Sequence, residues 1–166
     1  MDNNTGSDFR TVRGYQLLSQ QGGKLTPAME DYLEMTYRLC LDNNYARIGQ
    51  LSELLNVKPP SASKMISKLA YLGYLKYDRY DIIQLTDTGR EIGAYLLKRH
   101  ETVENFLLLI GSEHPLKETE LIEHSLSPAT VDSLSDLIEF FRTDDYVYNS
   151  FLYFKKLKEQ AANELM

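Results

Sequence analysis

The sequence predicts a mainly α protein in which three helices closed by a two-stranded hairpin precede an all-helical module. Apolar residues recur at steps of three and four through most of the 166-residue chain, as one face of a helix requires. Thr26-Pro27, Pro59-Pro60 and Ser127-Pro128 stand where helical patterns begin, and proline is pre-set for a first helical turn. Between residues 74 and 86 the pattern shortens to two brief β-type runs around a polar turn. With 43% hydrophobic and 25% charged residues, the chain can fill one or two small cores.

Residues 1–24 are polar and carry Gly6, Gly14, Gly22 and Gly23, the pattern of a flexible arm. Thr26-Pro27 opens a helix expected to run to about Asn43, with Met29, Leu33, Tyr37, Cys40 and Leu41 on its apolar face. Cys40 is the single cysteine, so it forms no intrachain disulfide and reads as a buried thiol. Arg47–Asn56 suits a short helix burying Ile48, Leu51, Leu54 and Leu55, and a turn follows at residues 57–60. From Ser61 an amphipathic helix buries Ala62, Met65, Ile66, Leu69 and Leu72 and ends at Gly73. Tyr74–Tyr77 and Ile82–Leu85 form the hairpin around Asp78–Asp81. Thr86 caps a long helix reaching Gly111, Glu118–Ser125 makes a shorter one, and Ser127-Pro128 starts another towards Phe141. The expected domains are an arm (1–24), the hairpin-closed reader (25–90), a helical module (91–143) and a helical C-terminal extension (144–166).

Helix, turn, helix, hairpin is the order of a winged helix-turn-helix, which lays its second helix in a DNA major groove. A net charge of −6 argues against nucleic acid when taken globally, but the charge is uneven. Residues 45–90 hold seven bases against four acids, whereas residues 91–166 hold 14 acids against seven bases. Ser61, Ser63, Lys64 and Lys68 offer small polar groups and cations on the exposed face of the expected recognition helix, and Tyr77 and Arg79 offer wing contacts. A merely solvated helix face has the same composition, and helix-turn-helix patterns also occur in protein-binding modules.

Six metal-capable side chains fall at helical spacings: Asp31 and Glu34; His100; and Glu120, Glu123 and His124. Carboxylate and imidazole donors without sulfur suit Mn²⁺, Fe²⁺, Co²⁺ or Zn²⁺. Acids at such spacing are also common on exposed helix faces, and His114, between Glu113 and Pro115, reads as a surface residue. The first ten residues do not resemble a signal peptide, and the longest apolar run, Phe106–Ile110, is too short to span a bilayer, so a cytoplasmic location is expected.

The run Thr26-Pro27-Ala28-Met29-Glu30-Asp31-Tyr32-Leu33-Glu34, the segment Ser61-Ala62-Ser63-Lys64-Met65, the step Arg99-His100-Glu101 and the stretch Glu120–Ser127 together resemble the manganese transport regulators of the diphtheria-toxin-repressor family. The likeness covers about residues 25–141. It implies a homodimeric winged-helix repressor of manganese uptake genes with a metal-binding and dimerisation domain. Asp31, Glu34, His100, Glu120, Glu123 and His124 match the family's ligands for two Mn²⁺ per chain, with Glu120 and Glu123 as bridging carboxylates. The iron-responsive branch places sulfur where Glu123 stands and usually adds an SH3-like domain, for which the residues after Phe141 leave no room. The wing departs from the family: a basic residue and glycine are replaced by Asp81 and Ile82, and an acid there repels phosphate. Two other readings compete. A di-metal enzyme needs a catalytic acid or phosphate cradle that the sequence does not display, and a regulator answering to a small organic ligand, or to Fe²⁺ or Zn²⁺, does not need all six donors in this form.

Overall fold

The computed structural model describes residues 25–78 and 80–163, so the expected arm and Arg79 lie outside the described residues. The chain divides into two compact units, one extending to Glu101 and the other beginning at Thr102.

In the first unit, α1 (Pro27–Asn43) begins as expected, but through its proline alone: the Thr26 side chain makes no capping hydrogen bond. Asn44, in the left-handed region (φ 59°), ends it. After Tyr45, Ala46–Arg47 form β1, which the sequence reading missed because two residues cannot display an alternating pattern. Helix α2 (Ile48–Leu54) starts with the Arg47 N–H donated to Gln50 Oε1 at 3.1 Å. Helix α3 (Pro59–Tyr71) begins two residues before Ser61, because both prolines fit the first turn, where amides need no helical partner.

Strands β2 (Leu75–Tyr77) and β3 (Ile82–Leu85) pair antiparallel with Leu75 opposite Leu85 and Tyr77 opposite Ile83. Strand β1 adds to the other side of β3, so the expected two-stranded wing is a three-stranded sheet in the order β1-β3-β2. Met29, Leu33, Leu51, Ile66, Leu69, Tyr74, Ile83, Ile92 and Leu96 are fully buried in one core spanning helices and sheet. This period-matched burial drives the unit together.

Helix α4 (Asp87–Ile110) is capped at its start by Thr86, whose Oγ1 accepts the Gly89 N–H at 3.0 Å and lies within hydrogen-bonding reach of the Gly73 and Tyr74 carbonyls. Its first turns approach their neighbours closely. A Cβ on Gly89 would sit 1.9 Å from the Tyr74 carbonyl oxygen, and one on Gly93 would sit 2.7 Å from Tyr37 Cβ. Only glycine permits these approaches.

The second unit contains the end of α4, α5 (Pro115–Ile122), a 3₁₀ turn (Glu123–Ser125), α6 (Pro128–Thr143) and α7 (Asp145–Asn163). The helix expected at Glu118 starts at Pro115, and its expected last turn is the tighter 3₁₀ type. Ser127 caps α6 by accepting the Thr130 N–H at 3.2 Å. Helices α6 and α7 meet through the rings of Phe141 and Phe151, 5.1 Å between centroids. Leu137, Phe140, Tyr146, Tyr153 and Phe154 remain exposed on these two helices. No described helix is long and apolar enough to cross a membrane.

Gly89→Ala should lower unfolding free energy by about 2–3 kcal/mol, because backbone must move to admit the methyl group. An unchanged melting temperature would show that the approach is not a constraint. Burial also raises Tyr32, Tyr74 and Cys40 above their ordinary pKa values. The folded chain therefore keeps protons that the unfolded chain releases, so this stability is present below the thiol and phenol range and lost as pH rises through it. The urea midpoint should fall above about pH 8.5; a midpoint that climbs from there to pH 10 would contradict the assignment.

Candidate metal centre

Helix α1 carries two acids three residues apart, with Asp31 half-buried and Glu34 buried. Helix α4 supplies His100, also buried. These two helices bring a Glu34 carboxylate oxygen and a His100 ring nitrogen within 4.8 Å of each other. Burying a carboxylate demands compensation. Arg38, one turn further along α1, donates from Nε and Nη2 to the same Glu34 oxygen, Oε1, at 2.8 and 2.6 Å.

A second ion pair lies close by, with Arg99 next to His100 on α4 and Glu30 one turn before Glu34 on α1. Arg99 donates to Glu30 at 2.9 Å, with side chains only 4% and 12% exposed, and so joins α4 to α1 across 69 residues of sequence. It fixes the register in which His100 meets Glu34. Nothing in the sequence announced this pair, since neither the spacing nor the residue types name the partner. The Arg38–Glu34 contact was legible, because Glu followed by Arg at i+4 is a standard helical pairing.

In the second unit the three expected donors differ in exposure: Glu120 is exposed, Glu123 is 1% exposed and His124 is half-buried. Their i, i+3, i+4 spacing runs across the junction of α5 and the 3₁₀ turn, where the pitch of an ideal helix no longer sets a common face. Sulfur does not enter the set. Cys40 lies in the apolar core, and burial raises its thiol despite the opposing charge of Arg90 and a backbone hydrogen bond from Leu85. Hard oxygen donors with imidazole fit a divalent cation of the Mn²⁺ type.

On α3, Ser61, Lys64 and Lys68 are exposed and Ser63 is half-buried. Ser63 Oγ lies 3.1 Å from the Tyr77 hydroxyl, which donates to Asp81 Oδ1 at 2.9 Å. Asp81 is in the left-handed region (φ 58°), which aspartate tolerates better than most residues. The wing tip is tied further by Asp78 Oδ1, which accepts the N–H groups of Tyr80 and Ile82. The bond with Ser63 favours the ionised Tyr77 phenol, but burial, the bond to Asp81 and the charges of Asp81 and Asp78 outweigh it and raise the pKa. Sequence reasoning singled out Tyr77 and Asp81 without foreseeing that they bond to each other.

A winged helix-turn-helix that carries buried Glu34 and His100 and is followed by a helical module with buried Glu123 fits the class of metal-dependent, DNA-binding transcriptional regulators. Residues 24–82 match the family described as iron dependent repressor, N-terminal DNA binding domain, and residues 86–150 match its metal binding and dimerisation domain. The chain belongs to this diphtheria-toxin-repressor family, in its MntR branch. It is 41% identical over 138 residues to the HTH-type transcriptional regulator MntR of Geobacillus kaustophilus (strain HTA426), covering 82% of this chain and 98% of that protein. It is 43% identical over 122 residues to MntR of Bacillus subtilis (strain 168), covering 72% and 86% respectively. Among solved structures, the manganese regulator SloR superposes with a TM-score of 0.59 at 28% identity, covering 70% of this chain and 55% of that one. ScaR with bound Zn²⁺ gives a TM-score of 0.54 at 30% identity, covering 68% and 54%. The chain thus spans little more than half the length of either solved protein. The family's proteins are DNA-binding regulators, and the chain is not an enzyme.

Glu30→Gln removes a negative partner from a buried guanidinium and should lower stability by about 3 kcal/mol. Urea unfolding measures this directly; an unchanged midpoint would mean that the pair does not hold α4 to α1.

Proposed function

We propose that the chain is a manganese-responsive repressor of manganese uptake genes, acting in the cytoplasm as a homodimer on double-stranded operator DNA. Asp31, Glu34, His100, Glu120, Glu123 and His124 would hold two Mn²⁺ per chain, with Glu120 and Glu123 as the bridging carboxylates. The observation that carries this reading is the approach of two buried donors, Glu34 and His100, from separate helices of the DNA-reading unit. A structural role alone would more simply be filled by apolar side chains there.

Bound Mn²⁺ would supply the positive charge that lets several carboxylates share one site. Without it, four acids gathered at one site would repel one another, and Arg38 already balances one of them. Three donors belong to the unit that carries α3 and three to the unit that follows. Ligation by all six therefore restricts the orientations open to the reader, and Ser61, Ser63, Lys64, Lys68, Tyr77 and Arg79 then meet the operator together. A 100-fold gain in DNA affinity needs a coupling of only about 2.8 kcal/mol, and DNA must tighten metal binding by the same factor. The exposed apolar residues of α6 and α7 support a second copy of the chain as partner.

The oxygen donor at Glu123 favours manganese over iron, and geometry must do the selecting, because Mn²⁺ binds most weakly in the divalent series. Metal-stripped full-length protein mixed with fragmented host DNA should retain a few promoter fragments with Mn²⁺ and release them to chelator. Glu34→Gln and His100→Ala should each abolish Mn²⁺-dependent retention. Equal retention with and without metal would discard the switch, and activation by Zn²⁺ or Co²⁺ at matched occupancy would discard the selectivity.

A further inference from the structure

The contact between α3 and the wing determines more than the wing's position. Tyr77 has one hydroxyl proton, and it is donated to Asp81 Oδ1 at 2.9 Å, since an ionised carboxylate can only accept. The Tyr77 oxygen must then be the acceptor in its 3.1 Å contact with Ser63. Ser63 has a single proton too, so donating it leaves only lone pairs for any other partner. Ser63 is half-buried on α3, between exposed Ser61 and Lys64, on the helix that a winged helix-turn-helix presents to the major groove.

We infer that Asp81, acting through Tyr77, fixes Ser63 as a hydrogen-bond acceptor and makes it a specificity-determining residue for a base that presents an amino group. In the major groove adenine offers N6–H₂ and cytosine offers N4–H₂, whereas guanine and thymine turn only acceptor atoms towards the helix. Ser63 therefore selects adenine or cytosine on the strand facing it and disfavours guanine and thymine. A serine is ordinarily indifferent, because its hydroxyl rotates to donate or accept. Here the rotation is removed by an acid at the wing tip. Asp81 then has a use despite its repulsion of phosphate: it sets the polarity of a base contact rather than touching DNA. Asp81 is a positioning residue in this scheme, and Tyr77 positions Ser63 in addition to its own place at the operator.

The inference rests on the DNA-binding reading, and one experiment separates the two. Full-length protein with Mn²⁺ is used to select from a randomised duplex pool, in wild-type form and as Ser63→Ala, Tyr77→Phe and Asp81→Gly; glycine keeps the left-handed turn available. Wild type should show one position with about a tenfold preference for adenine or cytosine, the upper range of one net hydrogen bond. Ser63→Ala and Tyr77→Phe should lose that preference. Asp81→Gly should lose it as well, because the bond between Tyr77 and Ser63 can then run in either direction and the serine proton is no longer committed. Asp81→Gly should also strengthen binding to all sequences alike by removing a negative charge, which is a separate readout. Duplex retention with an unchanged base preference in all three variants would overturn the relay. No retention by any of the four proteins, with or without Mn²⁺, would overturn the DNA-binding reading itself.

Discussion

The register of α4 against α1 is the constraint on which the first unit depends. The Arg99–Glu30 pair fixes it at one end of the contact, and the fit of Gly93 against Tyr37 fixes it nearer the start of α4. Tyr95 and Leu96 lie between these points and Ile92 lies beside Gly93, and all three belong to the apolar core. A shift of one residue along α4 would rotate each of these by about 100° and carry His100 away from Glu34. Stability and site geometry are thus set by the same contacts. An ion pair is directional where apolar burial is not, and this accounts for a charged pair inside a contact that hydrophobic residues would also hold.

The electrostatic arrangement has a second consequence. Glu34 is buried and negatively charged, and Arg38 compensates it through a single oxygen from a guanidinium that still reaches solvent. The guanidinium thus offsets part of the cost of burying this carboxylate. A cation held beside Glu34 under the proposed function would meet a partly neutralised group, which would weaken capture of every divalent ion. That suits a sensor better than a tight structural site.

Much of the architecture was legible in the sequence because helix periodicity and proline placement are local signals. Pro27, Gly73, Thr86, Gly111 and Ser127 mark helix boundaries as expected. Strand β1 escaped because a two-residue bridge is defined by its partner, Ile82–Ile83, and not by its own composition. The start of α5 at Pro115 escaped because His114 is not a strong capping residue. For the candidate site, residue types and spacing named Glu34 and His100, but their approach and the pairs made by Arg38 and Arg99 arise from tertiary packing. The hydroxyl relay is the extreme case. Ser63, Tyr77 and Asp81 were each visible, while their order as donors and acceptors depends on distances no sequence pattern encodes.

The wing tip of Asp78 and Asp81 also bears on how such a protein would search a genome. A basic wing grips any duplex by displacing counterions from phosphate, and that grip is blind to sequence. Two carboxylates at the tip, one tied to backbone amides and the other to Tyr77, displace none. Residence on random DNA would then be brief and rest on the cations of α3 and on Arg79. The protein would leave wrong sites quickly, and its occupancy of genomic DNA would depend more on matched bases than on ionic strength.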